Sequence, residues 1–277
     1  MARSTRLAIV VAVALASVPA FEAMTDRPCP PDTNCSGAVD VNDLLTVIAA
    51  WGSSDPIADI DDSGTVEVND LLAVITTWGP CLFNFGPAFA NAEAHQIGLE
   101  MLGAGGPLAL PPATYTRVDR DLGLIRTAYP NLVGQTHTMA WAPTQFIAAI
   151  IQGMPVTEFG CLNTYYQVID IDPLFSSGGI DYKVVTLAGK INIAGLCAIY
   201  TDLPEISFAE PNGLIGGENF WVPTDMGNGT WRWNIDDGFW DCFDGCDCHR
   251  YYVIDVDAAG VVTLISYQEI GQSWCKW

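Results

Sequence analysis

The chain has 277 residues, half of them hydrophobic, and a formal net charge of −21. That balance argues against nucleic acid as a partner, because phosphates must be met by Lys and Arg. The length suits one large domain or two to three small ones, and nine cysteines point to an exported chain with disulfides and at least one thiol unpaired.

The first residues include Arg3 and Arg6, followed by an apolar run over residues 7–18 and then Pro19 and Ala20. A basic start, a short apolar stretch and small residues before a break describe a secretory signal peptide, here residues 1–23, with cleavage expected after Ala20 or Ala23. The run is short for a bilayer, and no later stretch is long and apolar enough to span one. The mature chain is therefore expected to be secreted, or held at the cell surface or in the periplasm, without a membrane span.

Residues 29–81 contain one pattern twice, 27 residues apart. In the first copy Asp32, Asn34, Ser36, Asp40 and Asp43 occupy loop positions 1, 3, 5, 9 and 12. In the second Asp59, Asp61, Ser63, Glu67 and Asp70 do so. Gly37 and Gly64 stand at position 6, where a sharp turn is needed. A hard cation such as calcium takes roughly six to eight oxygens around one point, and this spacing gathers them. A helix is predicted after each loop. Leu44, Ile48 and Trp51 recur at near-helical spacing, as do Leu71, Ile75 and Trp78, so the two stripes are expected to pack face to face. Gly52 and Gly79 suit helix C-caps. Cys29 and Cys81 bracket the pair and are placed to clasp its ends, with Cys35 as a competitor for Cys81.

Residues 82–114 are rich in Gly and Pro and read as a linker, with one short helix near residues 90–102. A helix follows with Val118, Leu122, Ile125 and Tyr129 on one face, stopped by Pro130. Then come a strand at 145–151, a helix at 156–166, a strand at 167–175, a Gly-containing turn, a strand at 181–187, a helix at 193–200 and a strand at 206–209. The order βαββαβ is the ferredoxin-like split arrangement, and residues 115–216 are assigned to it. Residues 217–277 form a β-rich, cysteine-rich extension. Strands are expected at 220–222 and 231–235, and a hairpin turns around Asp257 and Gly260, with Tyr252, Ile254 and Val256 on one sheet face. The fold class is thus α+β: a small all-α calcium-loop-helix pair, a ferredoxin-like domain and this extension.

The paired loops resemble a type I dockerin, in which two 12-residue calcium loops are each followed by a single helix and position 12 is Asp. The resemblance implies two calcium ions. Asp32, Asn34, Ser36, Asp40 and Asp43 would ligate one, and Asp59, Asp61, Ser63, Glu67 and Asp70 the other, with the backbone carbonyls of Ala38 and Thr65 at position 7. Position 5 is Ser where dockerins usually carry Asp, which removes one charge per site. Dockerins present polar residues at positions 10 and 11 to a cohesin. Val41-Asn42 and Val68-Asn69 stand there, so the resemblance carries the metal chemistry and argues against a cohesin partner. Residues 143–213 more weakly resemble subtilase prodomains, through Leu203-Pro204 and Ala209-Glu210-Pro211-Asn212. Such prodomains inhibit or chaperone a protease.

Only His95, His137 and His249 are available for a triad, and no Gly-x-Ser-x-Gly elbow is present. Asp236, Asp237, Asp241 and Asp244 are the nearest candidates for a glycosidase pair, whose separation is set by the fold. Cys242, Cys246, Cys248 and His249 are tightly spaced for zinc, and a Cys242–Cys246 bridge with Cys248 joined to Cys275 is the expected use. The aromatic residues of the extension suit a core, or a glycan-stacking surface. Three functions follow as expectations. The first is a calcium-binding exported protein whose dockerin-like module tethers or stabilises a non-catalytic interaction domain. The second is a component of extracellular polysaccharide degradation, and the third a prodomain-like protease inhibitor.

Overall fold

The computed structural model describes residues 28–214, 219–239, 246–271 and 273–275. The expected signal peptide, Asp241, Cys242 and Asp244 lie outside them. The described residues form a mixed α+β structure with six α-helices and three antiparallel sheets, and no described helix is long and apolar enough to cross a membrane.

The repeat module contains helices α1 (Val41–Ala49) and α2 (Val68–Thr76). Each starts with a capping box. Asp40 accepts a hydrogen bond from the Asn42 amide at 2.7 Å, and Asp43 accepts one from the Asp40 amide at 2.8 Å. Asp70 accepts from the Glu67 amide at 2.7 Å in the second copy. Strands β1 (Ala38–Val39) and β2 (Gly79–Pro80) pair antiparallel. On the opposite side the Gly52 amide donates to the Val66 carbonyl at 2.9 Å, and the Val66 amide to the Ser53 carbonyl at 2.8 Å. The segment leaving each helix thus pairs with the loop of the other repeat. Gly52 and Gly79, at φ +76° and +123°, serve this crossing and are not the C-caps expected, because the helices have already ended at Ala49 and Thr76.

The helix faces also differ from expectation. Val39, Val47, Ala58, Val66 and Val74 make the module's core, with Leu44 and Leu71 at its edge. Ile48, Trp51, Ile75 and Trp78 are each at least half exposed. The reason lies in the loops. Asp43 and Asp70 must point back into them, the residue four places on shares that face, and so Val47 and Val74 turn inward while Ile48 and Ile75 rotate out. Val41, Leu45, Val68 and Leu72 are exposed too. Each helix therefore presents an apolar stripe to solvent.

The second layer is a four-stranded sheet in the order β4-β5-β3-β6. Its strands are β3 (Trp141–Ile151), β4 (Val168–Ser177), β5 (Ile180–Leu187) and β6 (Ile206–Gly213). Gly178 and Gly179, at φ +61° and +81°, close the β4–β5 hairpin, where two successive left-handed residues match the strand twist. Helices α5 (Thr157–Tyr165) and α6 (Ile193–Thr201) cover one face. Phe146, Ala148, Val185 and Leu187 from the sheet pack there against Phe159, Leu162, Leu196 and Tyr200. The opposite face carries a row of rings, with Phe175 stacked on Tyr182 at 4.3 Å and Phe208 5.8 Å beyond.

The third layer joins two segments far apart in sequence. Strands β7 (Asn219–Asp225), β8 (Trp231–Phe239), β9 (Cys248–Val256) and β10 (Val262–Gly271) form a meander. Helices α3 (Ala92–Leu102) and α4 (Pro112–Ala128) pack onto it through Ala94, Ile97, Val118, Leu122 and Ile125. So the stretch read as linker supplies a buried 11-residue helix, started by the Asn91 cap. The Val118 to Ile125 face, grouped on sequence with residues 115–216, belongs to the C-terminal sheet. Asp121 explains the docking. Fully buried, it accepts bonds from Arg117, Arg120 and the Trp233 indole, while the two guanidinium groups reach the carbonyls of Val256, Asp257 and Ala258.

Three disulfides fall wholly within the described residues. Cys29–Cys81 clasps the module, and Cys248–Cys275 closes the C-terminal sheet. The third, Cys35–Cys161, joins the first loop to α5, a pairing that the sequence did not suggest. Cys246 is disulfide-bonded as well. Cys197 is free and buried, and burial pushes its thiol up to about 12, so it stays protonated.

Candidate metal centre

Each loop is a closed ring of hydrogen bonds, and nearly every bond recurs 27 residues later. Asp32, at position 1, accepts from the Ser36 amide at 2.9 Å and the Gly37 amide at 2.8 Å. Asp59 accepts from Ser63 at 3.0 Å and Gly64 at 2.7 Å. At position 3, Asn34 and Asp61 accept from the Ser36 and Ser63 amides at 2.9 and 3.2 Å. At position 5 the Ser36 and Ser63 hydroxyls donate to the carbonyls of Ala38 and Thr65 at 3.0 and 3.1 Å. At position 12 Asp43 accepts from the Thr33 hydroxyl and the Asn34 and Asp40 amides, and Asp70 from the amides of Ile60, Asp61 and Glu67. Gly37 and Gly64 sit at φ +85° and +88°, and position 4 is left-handed as well, with Cys35 at +57° and Asp62 at +54°. Two left-handed residues in three positions curl the chain so that the side chains converge.

Burial sharpens the chemistry. Asp43 and Asp70 are fully buried, and Asp32 and Asp59 are nearly so. Residues 28–81 hold nine carboxylates and no Lys, Arg or His. A buried carboxylate without an opposite charge is costly, and backbone amides offset only part of that cost. A cation bound among them would supply the opposite charge. The donor set is all oxygen, which suits a hard cation. In the second loop, carboxylate oxygens of Asp59, Asp61 and Asp70 lie within 4.8 Å of one another. In the first loop Asp32, Asn34 and Asp43 make the matching hydrogen bonds, with the neutral Asn34 at position 3. The position-9 side chains point to the helix starts: Asp40 caps α1, and Glu67 accepts from the Asn69 side chain at 2.9 Å. The structure therefore brings positions 1, 3, 5, 7 and 12 together in both loops and leaves position 9 at the rim.

The other candidate residues have different surroundings. Trp221, Trp231 and Trp233, considered for a glycan surface, are buried in the C-terminal core. Cys248 is oxidised onto Cys275, so the zinc set is broken up by disulfides. His249 Nδ1 lies 2.7 Å from Asp236 and its Nε2 2.9 Å from the Cys246 carbonyl. His137 accepts the Trp221 amide at Nδ1, which leaves the proton on Nε2 to donate to Glu100 at 2.8 Å. Its ring ties α3 to β7. His95 stands edge-on to Phe89, and burial with nearby Lys190 lowers its pKa to about 4. Asp237 is buried against Arg250, and its Oδ1 has no hydrogen-bond partner. Burial, outweighing Arg250, holds its pKa above the usual carboxylate range.

Sequence reasoning missed two features of the module: the apolar stripes and the tether at Cys35. Val39 and Val66, the same apolar residue at position 8 of both loops, were the available signal that the core runs through the loops and not along the Ile48 and Trp51 stripe. No family model, curated protein or solved structure matches the chain.

Proposed function

We propose that this is an exported calcium-binding protein in which a dockerin-like pair of loops holds two ions and tethers or stabilises a non-catalytic α+β interaction domain. One observation carries the calcium reading: four buried loop carboxylates, arranged alike in both repeats, in a segment with no cationic side chain. Asp32, Asn34, Ser36, Ala38 and Asp43 hold one ion, and Asp59, Asp61, Ser63, Thr65 and Asp70 the other, with Asp40 and Glu67 completing the two sets from the rim. Bound calcium supplies charge that offsets the carboxylates and so acts as folding energy. The stripes of Val41, Leu45 and Ile48 on α1 and Val68, Leu72 and Ile75 on α2 support a protein partner at this module. They are exposed, apolar and repeated.

The strand order β4-β5-β3-β6, with two helices on one face, supports the ferredoxin-like reading of the middle layer. It is also the observation that keeps the protease-inhibitor reading as second choice. Against it, β6 ends at Gly213 and β7 begins at Asn219, so the chain runs on into another sheet where a prodomain tail would be free.

The test is calorimetry of calcium binding to the full oxidised chain after chelation. Two binding events at millimolar calcium or tighter are expected, and both should vanish in Asp43→Ala combined with Asp70→Ala. Absence of binding heat in the unaltered protein, with no calcium-induced shift in melting, would sink the proposal. Inhibition of a subtilisin-type protease by the same protein would favour the second reading.

A further inference from the structure

The two loops are alike in hydrogen bonding and unlike in their attachment. Cys35 occupies position 4 of the first loop and is oxidised onto Cys161 in the middle of α5. Its left-handed backbone, at φ +57°, is a conformation that costs a non-glycine residue energy and persists where the surroundings enforce it. The matching residue of the second loop, Asp62, has the same backbone, is exposed and has no such tether.

Other contacts seat the first loop on the middle layer. Asp32 and Cys35 line a crevice with Glu158, Cys161, Leu162 and Tyr165. Gly37 lies so close to Leu82 and Thr164 that a Cβ there would come within 3.0 Å of both. Just beyond the module, the Phe83 amide donates to the Tyr165 carbonyl at 2.8 Å and the Gln167 side chain donates to the Phe83 carbonyl at 2.7 Å. Around Gly64 a Cβ would meet nothing within 4 Å, and residues 61–65 are all exposed. The second loop is held within the module itself, by the two Val66 bonds to Gly52 and Ser53, by the Asp59 amide, which donates to the Asp55 carbonyl at 2.9 Å, and by Ala58 and Val66 in the module's core.

Charge acts in the same direction. The second loop gathers Asp59, Asp61 and Asp70 within 4.8 Å and adds Asp62 and Glu67 beside them. The first has three carboxylates, with Asn34 at position 3. Without an ion, repulsion between like charges is greater in the loop that has less to hold it.

We propose that the Cys35–Cys161 disulfide keeps the first loop in its ligand-ready shape with or without calcium, whereas the second loop takes that shape only with its ion. This inference rests on the calcium reading above. The first site is then a preformed part of the body, binding without an ordering cost, and the second is the calcium-responsive half of the module. Losing the second ion loosens the Val66 pairing with Gly52 and Ser53, and hence the end of α1, while the first loop stays fixed to α5.

Hydrogen exchange on the full oxidised chain tests this, comparing millimolar calcium with chelator. On chelation the amides of residues 59–70 should accelerate at least about tenfold more than those of residues 32–43. In Cys35→Ser combined with Cys161→Ser the two loops should accelerate alike, with the amides of β3 and β5 reporting that the body is intact. Equal acceleration of both loops in the unaltered protein overturns the proposal, as does a first loop that stays protected in the double variant. Should the variant fail to fold, the unaltered protein alone still decides. If neither loop responds to chelation, the calcium reading itself fails, an outcome distinct from equal opening.

Discussion

Replacing Asp43 with alanine isolates what the position-12 carboxylate does. The side chain is fully buried and accepts the Thr33 hydroxyl at 3.0 Å, the Asn34 amide at 3.3 Å and the Asp40 amide at 2.8 Å. Truncation strands these donors in a loop with nothing to replace the acceptor. Bonds to a charged acceptor contribute about 1.5–3 kcal/mol each, though neighbours in one network do not add fully. One of the three is long, so a loss of about 3–5 kcal/mol is expected for the module even in chelator. Calcium adds a second term. An ion at a hundred times its Kd stabilises by about 2.7 kcal/mol, and the variant should lose the increment that belongs to the first loop. Denaturant unfolding with and without calcium measures both, followed by fluorescence of Trp51 and Trp78, which are half exposed at the ends of the two helices. A variant as stable as the parent in chelator would refute the hydrogen-bond argument. A variant with an undiminished calcium increment would refute the ligand assignment.

Three further outcomes are expected. Removing the clasp with Cys29→Ser and Cys81→Ser should destabilise the module by about 4 kcal/mol, the loop-closure entropy of its 52-residue separation, with the middle sheet melting as before by circular dichroism. Asp121→Ala should cost about 3–5 kcal/mol in thermal unfolding, because Arg117 and Arg120 lose their shared buried acceptor. Asp237→Asn should change the pH dependence of stability. With its pKa raised in the folded protein, Asp237 keeps a proton that the unfolded chain has already released, so its contribution falls as pH rises from near 4 through the folded pKa. The variant removes that slope. It should therefore gain on the parent as pH rises above about 4, and a difference that stays constant with pH would contradict the burial argument.

The element order was legible because it is local. The βαββαβ succession shows in alternating and helical periods, and the structure places strands at Trp141–Ile151, Val168–Ser177, Ile180–Leu187 and Ile206–Gly213, and helices at Thr157–Tyr165 and Ile193–Thr201. The loop geometry was legible for the same reason: the Gly at position 6 marks the turn, and Gly37 and Gly64 do take left-handed backbone there. Which helix face is buried was not. Leu44, Ile48 and Trp51 fit a helical stripe as well as Val47 does, and only the need for Asp43 and Asp70 to reach back into their loops decides the rotation.

Assembly at a distance was the part that no local pattern held. Helices α3 and α4 and strands β7 to β10 build one core, although the segment between Ala128 and Asn219, with a sheet of its own, separates them. The Gly- and Pro-rich composition of residues 82–114 describes the turns on either side of α3 and says nothing of the sheet waiting at the far end of the chain. Disulfide pairing divides in the same way. Cys29 and Cys81 bracket a repeat whose two halves must close on each other, so their bond follows from the pattern. Cys35 meets Cys161 only because the first loop is seated on α5. The oxygen-bearing side chains of the loops are thus written in the sequence, residue by residue. That one loop is covalently part of the body and the other is held mainly by its own geometry is a property of the tertiary structure alone, since it depends on which surfaces come to rest against each other.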